Sequence, residues 1–101
     1  MGDVTLDNRI TYTRALETYG AHAQIMMVFE ETAELQKELC KNMRGADNRD
    51  HIAEEIADVL IMLDQMMLLY DIEERVAEYK AEKVERLRAR LDAYDAAVMT
   101  R

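Results

Sequence analysis

Proline is absent from this chain and glycine occurs only three times, so almost nothing in it interrupts a helix. Inside a helix proline costs about 3 kcal/mol and glycine about 1 kcal/mol relative to alanine, and their near absence directs the chain to an all-α fold. Half of the residues are hydrophobic and a third are charged, the balance of a helical protein that keeps one face wet. At 101 residues the chain has room for one domain, 1–101, with its core over about 21–96. A domain this small buries a modest share of its surface, so packing against further copies would help it.

The punctuation predicts four helices. Residues 1–8 read as a loose lead-in, with Thr5 or Asp7 able to cap a short helix over about 9–18. Gly20 breaks the chain before a long helix over 21–43, and Gly45 within the polar run 44–50 ends it. Asn48 or Asp50 can cap the next helix, about 51–69, and Asp71 the last, about 72–96. The short connection makes the two middle helices antiparallel neighbours in a helical bundle.

Two parallel stripes run along each middle helix. In the first, Ile25, Val28, Thr32, Leu35 and Leu39 follow 3–4 spacing and read as the core-facing stripe. One position earlier lie Gln24, Met27, Glu31, Glu34 and Glu38. In the second, Ile52, Ile56, Val59, Leu63, Met66 and Tyr70 form the apolar stripe, and Glu55, Asp58, Met62 and Gln65 precede it by one. The acids are thus expected roughly 100° around from the seam, at the border of the core.

Those acids are poorly relieved locally. A structural acidic stripe normally has Lys or Arg four residues on. Glu31 is instead followed there by Leu35, Glu55 by Val59 and Asp58 by Met62, while Glu30 with Glu34 and Glu34 with Glu38 are like-charged pairs. Lys37 and Lys41 relieve only the first helix. Glu31 and Glu34 on one helix, with Glu55 and Asp58 on the next, would aim four carboxylates at one small volume. A hard divalent cation such as Mg²⁺, with Mn²⁺ as a substitute, suits such oxygen ligands. The plainer alternative is a solvated acidic flank.

The last helix changes register. Ile72, Val76 and Tyr79 begin a stripe that runs on into Lys83 and Arg86, and the apolar seam restarts at Val84, Leu87, Leu91, Tyr94 and Val98. Lys83 and Arg86, with Lys80 beside them, are candidate contacts for phosphate oxygens, or else ordinary charged flanks of a helix seam.

Net charge is −8, which excludes a broad nucleic-acid interface. The single cysteine, Cys40, cannot form an internal disulfide, fits a reducing cytoplasm and reads as a packed helical thiol. The residues after Met1 are too polar for a signal peptide, and the most apolar run, interrupted by Asp64 and Gln65, is too short to span a bilayer.

Glu31-Thr32-Ala33-Glu34 followed by Glu55-Ile56-Ala57-Asp58 resembles the paired E-x-x-E and E-x-x-D signature of the MazG-like, all-α nucleoside triphosphate pyrophosphatase superfamily. The doubled acid Glu30-Glu31 and the basic segment 80–90 are similar to family members as well, and the likeness covers about 21–91 in a compact single-module form. The resemblance implies Mg²⁺-dependent hydrolysis of an NTP or dNTP to the monophosphate and pyrophosphate, within a homo-oligomer of packed helices that is a dimer or a dimer of dimers. Glu31, Glu34, Glu55 and Asp58 would then be the metal ligands. Glu30, or one of those four, would orient or deprotonate the attacking water, and Lys83, Arg86 and Lys80 would meet the phosphates. Gln24 and Gln65 are either contacts to substrate or bound water, or amides at a bundle edge.

Two rival readings are weighed. A di-iron carboxylate bundle needs Glu-x-x-His on two helices, and no glutamate here has histidine three residues on; His22 and His51 read as surface residues. A non-catalytic helical interaction module, with Met62, Met66 and Met67 lining a partner groove, is the second.

Overall fold

A computed structural model describes residues 5–100. Four helices follow in order: α1 Leu6–Tyr19, α2 Ala21–Met43, α3 Arg49–Tyr70 and α4 Glu73–Met99. Helices α1 to α3 form one compact unit and α4 forms a second. The expected lead-in falls partly outside the described residues. Within them Thr5 already caps α1, its Oγ1 accepting from the Asn8 amide at 3.2 Å, so the first helix starts three residues sooner than the pattern suggested.

Two joints depend on backbone chemistry. Gly20 ends α1 and opens α2 at φ 90° and ψ 155°, a conformation that a Cβ disfavours. Asp71, expected to cap the last helix, instead closes α3 in the left-handed region at φ 54° and ψ 51°. Its amide donates back to the Leu68 and Met67 carbonyls, the work usually left to glycine or asparagine at that position. Ile72 takes the N-cap position of α4.

The α2–α3 hairpin overturns the expected core. The stripe that faces the neighbouring helix is the polar one: Gln24, Glu38, Met62 and Gln65 are all buried. Met27, Glu31, Glu55 and Asp58 are half-buried between them. The stripe read as core-facing is left partly open, with Leu39, Ile56, Leu63 and Tyr70 each more than 40% exposed. The reason is geometric. One residue beyond the seam turns a side chain by about 100°, and on antiparallel helices both turns go to the same side. The two apolar stripes therefore make one continuous apolar face beside the polar seam.

Beyond the seam, α1 packs on both helices. Tyr12 is its buried residue, and its hydroxyl donates to Asp64 Oδ2 at 3.4 Å. Burial and the adjoining Asp64 carboxylate hold that phenol above its ordinary value.

The α2–α3 loop is only Arg44–Asn48, and it is clamped. Asn48 Nδ2 donates to the Glu38 carbonyl at 2.9 Å and to Glu38 Oε1 at 3.0 Å. Asn42 Nδ2 donates to Asn48 Oδ1 at 3.2 Å, and Lys41 Nζ lies 3.2 Å from Glu38 Oε2. Asn48 thus holds the N-cap position without capping through its side chain. Asn48→Ala strips the clamp from a buried polar site and is expected to lower Tm by on the order of 5–10 °C in a melting scan.

Helix α4 is amphipathic along Val84, Leu87, Leu91, Tyr94 and Val98, all exposed. Its surface is laced by ion pairs, Arg75 with Glu78 and Arg88 with Glu85, and the Arg75 guanidinium lies 4.6 Å from the centre of the Tyr79 ring.

Candidate metal centre

The centre is built where the hairpin seam carries acids on both helices. In α2 the seam runs Gln24, Met27, Glu31, Glu34, Glu38, and in α3 it runs back along Gln65, Met62, Asp58, Glu55, His51. Each step of three or four on one helix is answered by the same step on the other. Gln24 consequently bonds Gln65 at 2.6 Å, the Asp58 charge acts on Glu31, the Glu34 charge acts on Glu55, and His51 acts on Glu38.

Glu31, Glu55 and Asp58 each bring a carboxylate oxygen within 4.8 Å of the other two, and all three are half-buried. Oxygens on opposite sides of a Mg²⁺ ion stand about 4.2 Å apart, given bonds near 2.1 Å. The three groups therefore need only small side-chain shifts to share one hard cation, and carboxylates are the donors such an ion takes.

Crowding is written into their protonation. Desolvation first, then the charges of Asp58 and Glu55, the hydrogen bond to Asp58 and the charge of Glu30 push the Glu31 carboxyl above its ordinary 4.5. Glu55 is raised likewise, by desolvation and then by Asp58, Glu34, Glu54 and Glu38. Glu38 behaves oppositely: hydrogen bonds from Asn48 and Lys41 lower it. It is therefore a satisfied clamp residue.

Comparison with known proteins finds no matching family model, no matching curated protein and no matching solved structure. What can be said of the site rests on its own geometry.

Of the residues singled out in the sequence, three converge. Glu34 is exposed and lies outside that trio, though near enough to raise Glu55. Glu30 is exposed and its charge bears on Glu31. Lys80, Lys83 and Arg86 are exposed residues of α4, in the second unit. Gln24 and Gln65 are not edge amides; they are 6% and 4% exposed and bonded to each other, because their stripe is the seam. His22 and His51 are exposed, as expected, and so is Cys40, which was expected to pack. The part played by Asn48 and Glu38 escaped the sequence reading. The signal available was Glu38 continuing the polar stripe to within reach of an asparagine in the loop.

Proposed function

We propose that the chain is a Mg²⁺-dependent nucleotide pyrophosphohydrolase that converts an NTP or dNTP to the monophosphate and pyrophosphate. One observation carries the reading: Glu31, Glu55 and Asp58 converge from two helices, with oxygens within 4.8 Å of one another, and desolvation together with the neighbouring acids raises the Glu31 and Glu55 carboxyls. Mg²⁺ bound there, or Mn²⁺ in its place, would neutralise the triphosphate and let the pyrophosphate depart. The protein's own part is to hold the oxygens in place, and Glu34, whose charge acts on Glu55, would join them as a further ligand. Glu30, next to Glu31 in α2, or one of the clustered acids would accept the proton of an attacking water. Among the described residues no helix is long and apolar enough to cross a membrane, and the lone thiol suits the cytoplasm.

The reading includes a homo-oligomer. What supports it is the apolar face of the hairpin, where Ile56 and Leu63 stand 43% and 42% exposed in the middle of a helical unit. Ile56→Glu with Leu63→Glu is expected to shift the sedimentation coefficient to that of a single chain, while the parent sediments as a dimer or larger.

The deciding experiment measures pyrophosphate release over a panel of NTPs and dNTPs with Mg²⁺ or EDTA, beside melting with a non-hydrolysable nucleotide. Release with Mg²⁺ alone, together with a raised Tm when both ligands are present, is the expected result. No release on any member and no shift would leave the acids as a solvated flank and return the chain to the class of helical interaction modules.

A further inference from the structure

The Asn48 clamp ties only the loop end of the seam that gathers the acids. The seam's 3–4 spacing repeats every seven residues, so sliding α3 by one heptad against α2 preserves the pattern of facing positions. Slid one way, Glu31 would face His51; slid the other way, it would face Gln65. Either slip carries Glu31 away from Glu55 and Asp58 and relieves its repulsion with them. The acids themselves thus favour leaving the observed alignment. The methionines at the next level, Met27 and Met62, are unbranched and adaptable, and they specify little.

We propose that Gln24 and Gln65 are positioning residues whose buried amide pair selects the one register in which Glu31, Glu55 and Asp58 converge. Gln24 Nε2 donates to Gln65 Oε1 at 2.6 Å, and Gln65 Nε2 reaches Met62 Sδ at 3.9 Å. Both amides are more than nine-tenths buried. A slip by one heptad breaks this pair: one amide would then face an acid, Asp58 or Glu31, and the other would lose its partner, a penalty that an apolar pair would not impose. A single polar pair at a seam position is a well-attested way for helices to fix alignment. The placement is symmetrical about the acids. Glu31 lies one heptad from Gln24 and one from Glu38, whose Asn48 clamp secures the loop end of the hairpin. The amide pair secures the open end. This deepens the metal reading by naming what aligns its ligands, yet the alignment can be measured without any metal.

The test uses full-length chain with Cys40→Ser and nitroxides at Ala33→Cys and Ala57→Cys, two exposed positions on α2 and α3, diluted into unlabelled protein. Pulsed electron resonance should read one distance in this parent. With Gln24→Leu and Gln65→Leu added, a second distance population should appear, reflecting a slide of about 10 Å along the axes. Tm should hold or rise, and Mn²⁺ affinity should fall by about 10-fold or more. Gln24→Lys with Gln65→Glu restores a cross-helix link and should restore the single distance, a rescue that generic loss of packing would not produce. If the leucine variant does not fold, Gln24→Met with Gln65→Met is read by the same distance. One unchanged distance in a folded leucine or methionine variant overturns the proposal. Should the parent bind no Mn²⁺ while the distances behave as expected, the register inference stands and the metal reading falls.

Discussion

Asp58→Asn is expected to reduce pyrophosphate release by about 10³-fold, the scale of losing several kcal/mol of charge stabilisation at a metal site. The same variant is expected to melt higher than the parent in EDTA. Both effects follow from one geometry. Asp58 supplies an oxygen to the trio, and in the metal-free chain it is also the strongest charged neighbour acting on both Glu31 and Glu55. Asparagine keeps the shape, removes the charge and offers an N–H to Glu31. Activity and stability therefore move in opposite directions, which separates a ligand from a residue that merely supports the fold. Turnover equal to the parent's would remove Asp58 from the site; loss of activity with a lowered Tm in EDTA would mark folding damage instead.

Magnesium is expected to reverse the pH dependence of stability. In EDTA, Glu31 and Glu55 hold protons more tightly folded than unfolded, because their folded carboxyls sit above the ordinary 4.5. Their contribution is complete below pH 4.5 and is lost as pH rises through the raised values. The metal-free chain should thus gain stability from these groups as pH falls from 7 toward about 4.5. Glu38 has the opposite sign: its lowered carboxyl stabilises above the ordinary value and loses that contribution as pH falls through its folded value. Acidification below 4.5 should accordingly weaken the loop clamp. With Mg²⁺ present the ion competes with protons for the same oxygens, so its stabilisation is largest at neutral pH and fades on acidification. Melting series in EDTA and in Mg²⁺ should converge near the acid end and diverge at neutral pH. Two superimposed series at every pH would show that the trio holds no magnesium.

Much of the local structure was legible in the residues. Gly20 and Gly45 marked the ends of α2, which spans Ala21–Met43 as expected, because a helix end is decided by the few residues that form it. Asp71 shows the limit of that reasoning. An aspartate can cap a following helix or adopt the left-handed region after a preceding one, and here the end of α3 claims it. Glu31, Glu55 and Asp58 were legible as a group because a three-residue spacing on each of two antiparallel helices brings them to one level. Glu34 shares the spacing but is exposed and lies outside the trio. The sequence pattern had no means of separating it from the rest.

By itself the sequence determined that the chain is helical, where its helices break, and that two stripes, one apolar and one acidic, lie side by side on α2 and α3. These are consequences of backbone propensity and of a period of 3.6 residues. Tertiary structure decided which stripe meets the other helix. Periodicity ranks faces by polarity and says nothing of which neighbour each face will find. The hairpin can bury Gln24, Glu38 and Gln65 because Gln24 bonds Gln65 across the seam, Gln65 also reaches Met62 along α3, and Asn48 of the loop bonds Glu38. The apolar stripes are thereby turned together onto a single outer face.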